Sequence, residues 1–239
     1  MIKKFFNTSY LNWQKTFDVN KQRSQNAALK AYYGTGLPNP SVPLEDITFL
    51  AMDFETTGLD STQDDIITIG TVPFNVNRIF INQARHWIVK PRQKLAEESV
   101  IIHGITHSDI LDAPDLIDIY KQVLEQMAGK VMVVHYQRIE REFFDRALKD
   151  RINEGIGFPV IDTMQLETLY QAQTNGGFFK RLQGKKPESV RLGASRTRYG
   201  LPNYTPHHAL TDAVATAELL QAQIAHHYHR KTKIGEVWI

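Results

Sequence analysis

The sequence predicts an α/β domain with a mixed sheet and helices on its faces. Three observations carry this. Short apolar runs of strand length recur at 47–50, 65–72, 78–82, 85–89, 130–135 and 159–162. The early runs follow one another through short polar turns, as in an antiparallel meander. The later ones alternate with segments whose apolar residues recur at helical spacing, as in strands joined by helices.

Residues 1–45 read as a helical extension ending in a linker. Phe6, Tyr10, Trp13 and Phe17 fall on one helical stripe, and residues 1–30 carry six basic side chains against Asp18 alone. A helix that docks its aromatic face and leaves its basic face in water is expected, ahead of a nucleic-acid-binding arm. The Gly- and Pro-rich stretch from Gly34 to Pro43 reads as the linker. After the meander and a short helical segment around 97–100, Pro114 suits the start of a helix. Leu116, Ile117, Tyr120, Val123, Leu124 and Met127 form its apolar stripe, and Gly129 ends it. A buried strand through His135, a helix from Arg138, a strand ending at Asp162 and a helix from Thr163 to Gln171 follow. Residues 175–200 read as a flexible segment with seven basic residues against Glu188, either a solvated loop or a surface that neutralises phosphates. The last helix runs from Ala209 to Tyr228.

The bulk properties exclude several classes. With 239 residues, 42% of them hydrophobic, the chain can bury a sizeable core. It has no cysteine, so disulfides, thiolate-bound zinc and thiol catalysis are excluded. No apolar run has transmembrane length, and the N-terminal residues do not read as a secretory signal; a soluble, cytoplasmic protein with no membrane partner is expected. The net charge of +2 decides nothing about partners.

The chemistry gathers around Leu50-Ala51-Met52-Asp53-Phe54-Glu55-Thr56-Thr57-Gly58-Leu59-Asp60. In a strand, residues two apart share a face, so Asp53 and Glu55 project together while Phe54 turns into packing. Two adjacent carboxylates repel, and a divalent cation removes the conflict; Mg²⁺ favours one or two carboxylates, water and phosphate oxygens, although Asp-x-Glu alone reads equally as a strand end with solvated acids. Two later segments offer matching acids. Glu140 lies in the first turn of the helix after His135, where an acid also suits the helix dipole. Asp212 sits on a helix that otherwise reads as core-packed, where a carboxylate needs a partner, either a metal or a cap or salt bridge.

Asp53-Phe54-Glu55-Thr56-Thr57-Gly58, Glu140 five residues after His135, and His207-x-Ala209-Leu210-x-Asp212 together resemble the DEDD superfamily of 3′–5′ exonucleases. The last motif is similar to that of its DEDDh branch, which includes the proofreading epsilon subunit of bacterial DNA polymerase III. The resemblance runs from about Ile47 to Ala225. It departs at the middle motif: Tyr136 stands where the family usually has Asn, and Glu140 where it has Asp.

The resemblance implies a ribonuclease H-like mixed five-stranded sheet, one strand antiparallel, with an exonuclease domain over 46–230 and a tail over 231–239. It implies hydrolysis at a 3′ end releasing nucleoside 5′-monophosphates, with two divalent ions, Mg²⁺ or Mn²⁺, held about 4 Å apart by Asp53, Glu55, Glu140 and Asp212. His207 would take the proton from the attacking water, a role suited to imidazole, with His208 the rival. Thr56, Thr57, Leu59, His103 and Ile105 would meet the terminal nucleotide. Single-stranded DNA is the expected substrate; RNA 3′-end trimming and a non-catalytic nucleic-acid-binding module are the alternatives. Because only Arg230–Ile239 follows the last helix, a stand-alone nuclease is expected in preference to a polymerase subunit. No particular polymerase or repair partner, and no oligomeric state, is implied.

Overall fold

The computed structural model describes residues 12–92, 105, 107–175 and 188–239. Strands β1 (Phe49–Thr56), β2 (Ile66–Phe74), β3 (Arg85–Ile88), β4 (Val131–Val134) and β5 (Val160–Asp162) form one sheet in the order β3-β2-β1-β4-β5. β1 is parallel to β4 and β4 to β5, while β2 runs antiparallel to both β1 and β3. This is the mixed five-stranded sheet with one antiparallel strand that the resemblance implies. The central strand β1 is buried throughout except at Asp53, as expected of a strand covered on both faces.

Eight α-helices are described: α1 (Trp13–Arg23), α2 (Ala27–Gly34), α3 (His107–Leu111), α4 (Leu116–Met127), α5 (Arg138–Ile152), α6 (Thr163–Asn175), α7 (Leu192–Arg198) and α8 (Ala209–His227). Helix α8 packs along β1 and β2. Phe54 turns the other way and meets Phe144 of α5, ring centres 6.0 Å apart, so one β1 residue anchors α5 while its neighbours carry the acids.

Trp13 and Phe17 of α1 are buried, and Lys15, Lys21 and Arg23 are exposed, so the expected division between aromatic and basic faces holds. Phe17 packs on Tyr32 and Tyr33 of α2 at 5.4 and 5.1 Å, and all three belong to the main core cluster. The stretch after α2 is pinned rather than loose: Ile234 and Gly235 donate backbone hydrogen bonds to Val42 and Pro40. Ile239 exchanges two with Val160, so the C-terminal segment packs against β5.

Several local expectations are corrected. Residues 78–82 form no strand; Ile79 makes one bridge to Phe74 and the chain then turns through Ile81–Gln83. Asp115, not Pro114, starts α4, because its carboxylate caps the Ile117 N–H. Ile117 faces out and Ile119 takes its place in the core. Residues 192–198, read as part of a basic loop, are helix α7. Phe6, Tyr10, His103, the segment around 97–100, and Lys180, Arg181, Lys185 and Lys186 lie outside the described residues.

Candidate active site

The site forms at the carboxyl end of β1, where ligands gather in open α/β sheets. The β1–β2 register shifts between Glu55 and Thr56, and the chain leaves the sheet there. The following loop is held internally. Asp64 accepts hydrogen bonds from the Thr57 hydroxyl and the Asp60 N–H, and Thr57 N–H donates to the Asp65 carbonyl. The Thr56 hydroxyl donates to the Gly58 carbonyl at 2.6 Å. Both hydroxyls therefore shape the loop, which lifts Leu59 out until it is 82% exposed.

Helix α8 brings the second half. The His207 backbone has φ of 69°, and its N–H donates to Asp212 Oδ2 at 3.0 Å. This local bond turns Asp212 back over the helix start. Ligand atoms of Glu55, His207 and Asp212 all lie within 4.8 Å of one another. His208 is diverted from this group: its Nδ1 caps α8 at the Thr211 N–H, and its ring stacks on His86 at 4.6 Å.

Glu140 enters from α5 and is 2% exposed. Glu142 and Asp145 turn away into ion pairs with Arg138 and Lys149. The helix is aimed by Asp162, which sequence reasoning read only as a strand end. Its carboxylate accepts the N–H groups of Tyr136 and Gln137 before α5 and of Met164 and Gln165 at the start of α6. One buried acid thus joins two helix starts. His135 is structural as well. Its Nε2 meets the Val190 carbonyl at 3.1 Å and its Nδ1 the Thr163 hydroxyl at 2.8 Å, which in turn donates to the Val134 carbonyl. Burial pushes its pKa down to about 4, so the ring is neutral.

The acids converge electrostatically on Asp53. Burial first, then the charges of Glu140, Asp212 and Glu55, push Asp53 well above the usual carboxylate range. Glu140 is also raised well above it by burial and by Asp162 and Glu55, although the Phe54 and Glu140 N–H groups oppose this. Asp212 is pushed up to about 6, by burial and then Glu55, against the opposing His207 N–H. Glu140 Oε2 and Asp212 Oδ1 are buried with no hydrogen-bond partner. Anionic oxygens in that condition are costly, and clustered carboxylate oxygens are the donor set of a hard divalent cation. The residues present therefore fit a hard divalent cation.

A cleft of about 570 Å³ opens over these groups. Asp53, His207 and Asp212 lie on one side; Gly193, Ala194 and Thr197 of α7 and Asn203 and Tyr204 beyond it line the rest. Sequence reasoning missed this wall, because a short basic segment gives no periodic signal. Of its three described basic residues, two are spent within the protein. Arg196 is 3% exposed and pairs with Glu218, and Arg198 pairs with the buried Glu167. Arg191 remains exposed at the cleft. Ile105, two residues before α3, is partly buried.

The family model of the RNase T-type exonucleases matches residues 50–220, and the chain belongs to that family. A DNA polymerase III subunit epsilon-like protein of Rhodobacter capsulatus is 30% identical over 177 residues, covering 74% of this chain and 23% of that protein. The chain thus spans about a quarter of that relative's length. Among solved structures, cell-death related nuclease 4 superimposes with a TM-score of 0.64 at 20% identity, over 78% of this chain and 66% of that one. The nuclease domain of 3′hExo, a DEDDh family member bound to rAMP, gives 0.59 at 16% identity, over 74% and 92%. These likenesses establish the ribonuclease H-like fold.

Proposed function

We propose that the chain is a metal-dependent 3′–5′ exonuclease that removes nucleoside 5′-monophosphates from the 3′ end of single-stranded DNA. The observation that carries this is the grouping of Glu55, His207 and Asp212 beside a cleft that Asp53 also lines, with the charge of Glu140 bearing on Asp53 from α5. Bound divalent cations would supply charge stabilisation at the scissile phosphate and lower the pKa of a bound water. Asp53, Glu55, Glu140 and Asp212 would hold them. His207, exposed beside Glu55 and Asp212, accepts the proton of the attacking water. Leu59 projects from its braced loop to pack against the terminal base, and the α7 wall confines the strand. Residues 1–45 are an extension to this exonuclease domain, since the family match begins after them, and those from Trp13 on share its core.

DNA is favoured by the epsilon-like relative, whereas 3′hExo was solved with a ribonucleotide, so the test includes both polymers. Labelled single-stranded DNA and RNA of matched sequence are incubated with the protein and Mg²⁺ or Mn²⁺. Mononucleotides should appear from the DNA 3′ end and vanish in Asp53→Ala. No release with either ion, or release unchanged in Asp53→Ala, refutes the nuclease reading. Faster loss of RNA refutes the choice of DNA.

A further inference from the structure

Tyr204 lies on the cleft wall with Asp53, His207 and Asp212, and it belongs to none of the motifs. Its hydroxyl is turned to the Asp212 carboxylate, to which it donates a hydrogen bond. The ring is held from behind. The Arg196 guanidinium stacks over it, 5.0 Å from the ring centre. Arg196 is itself fixed on three sides: it donates to the Ala215 carbonyl at 2.8 Å and the Pro202 carbonyl at 3.0 Å, and pairs with Glu218 at 2.7 Å. Ala215 and Glu218 belong to α8, the helix that carries Asp212. Pro202 lies two residues before Tyr204. The guanidinium therefore ties the Tyr204 segment to the Asp212 helix.

This arrangement has the form of an outer support for a metal ligand. A phenol has one O–H to give. A carboxylate that binds a cation through one oxygen needs its orientation set by donors to the rest of the group, and such donors tune affinity. The His207 N–H supplies one donor at Oδ2. The groups Arg196 engages through its two terminal nitrogens account for its burial.

We propose that Tyr204 is a positioning residue of the metal site: its hydroxyl orients the Asp212 carboxylate for a divalent cation, and Arg196 stacked on its ring fixes the phenol in place. The inference rests on the proposed metal-dependent reading of this site. It adds a side chain that touches neither the reacting atoms nor the ion.

The test titrates Mn²⁺ alone into the full chain and reads binding directly by calorimetry, alongside thermal melting in chelator. Tyr204→Phe removes one oxygen and keeps the ring. Its Kd for Mn²⁺ should rise roughly 10-fold, the scale of outer-support losses at metal sites. Its metal-free Tm should stay within about 3 °C of wild type, the shift that a change near 1 kcal/mol gives in a chain of this size. In an Asp212→Asn background the same substitution should add nothing, because the group it orients has lost its charge. With single-stranded DNA, the Mn²⁺ concentration for half-maximal degradation should rise in parallel, and kcat should recover at saturating Mn²⁺. Tyr204→Phe binding Mn²⁺ as wild type does, or losing the same factor in the Asp212→Asn background, overturns the role of Tyr204 while leaving the nuclease reading intact. Wild-type protein that binds no Mn²⁺ overturns both.

Discussion

Gly70 of β2 lies directly against the backbone of Ala209, the first residue of α8. A Cβ on Gly70 would overlap the carbonyl group of Ala209 and the amide nitrogen of Leu210. Gly70 also pairs with Asp53 across the β1–β2 ladder. A residue with no side chain is therefore what lets the start of α8 settle beside the β1 acids. Gly70→Ala should push the first turn of α8 off the sheet and carry His207 and Asp212 with it. Backbone has to yield, so a loss of about 1–3 kcal/mol is expected in urea unfolding. Nuclease activity should fall on the order of 100-fold, since displacements near 1 Å have that effect. A variant with wild-type kcat/KM would show that the close approach does not set the site.

The clustered acids should make the metal-free protein pH-sensitive. Asp53, Glu140 and Asp212 all have raised pKa values in the folded chain, Asp212 to about 6. A raised acid binds its proton more tightly folded than unfolded. Its stabilising contribution is complete below the unfolded value of about 3.9 and is lost as pH rises through the folded one. In chelator, stability should therefore fall between about pH 4 and 7, by on the order of 1–3 kcal/mol for Asp212 alone. Mg²⁺ should flatten that slope, and Asp53→Asn should raise the metal-free Tm at pH 7.5. A flat Tm profile in chelator, or a lower Tm for Asp53→Asn, contradicts this account.

Tyr136 carries strain that an asparagine would relieve. Its φ is 88°, which costs a bulky residue about 1–2 kcal/mol, whereas Asn visits positive φ readily. The geometry is imposed from outside, because Asp162 accepts the Tyr136 and Gln137 N–H groups and so fixes the turn from β4 into α5. The ring makes one weak contact, its hydroxyl at 3.4 Å from Arg138, and is 38% exposed. Tyr136→Asn should raise stability by roughly 1 kcal/mol, read as a higher urea midpoint with unchanged slope. A lower midpoint would mean that the ring contributes more than its exposure suggests.

Legibility followed the range of the forces involved. Asp53 and Glu55 were readable because strand alternation is local, and Asp212 because an acid in apolar helical company stands out. The rest depends on distant partners. Helix α7 has seven residues and no side-chain cap, and it is held by the contacts of Arg196 and Arg198 with other elements. Its sequence therefore reads as a basic loop. Asp162 looks like any strand-end acid until four amides from two helices are brought to it. Gly70 inside a strand is itself a signal of close backbone approach, although the sequence does not say which backbone approaches.

Glu140 stands where the resemblance implies Asp, and in the proposed metal site its extra methylene sets how far its carboxylate reaches. Glu140 belongs to α5, and its carboxylate accepts from the Phe54 N–H on β1, between the two first acids. Its buried Oε2 has no hydrogen-bond partner and adds to the charge at Asp53. Glu140→Asp keeps the charge but withdraws the carboxylate by about 1.5 Å, one carbon–carbon bond. Although this restores the family's usual residue, it should weaken Mn²⁺ binding and lower kcat/KM on single-stranded DNA by roughly 10- to 100-fold. Glu140→Gln should be worse in binding, because it removes the charge, yet more stable without metal, because it removes the repulsion with Asp53. Calorimetric Mn²⁺ titrations and melts in chelator separate the two effects. Should Glu140→Asp equal or exceed wild type in both affinity and rate, the frame would tolerate either acid, and the longer side chain would have no structural reason to be there.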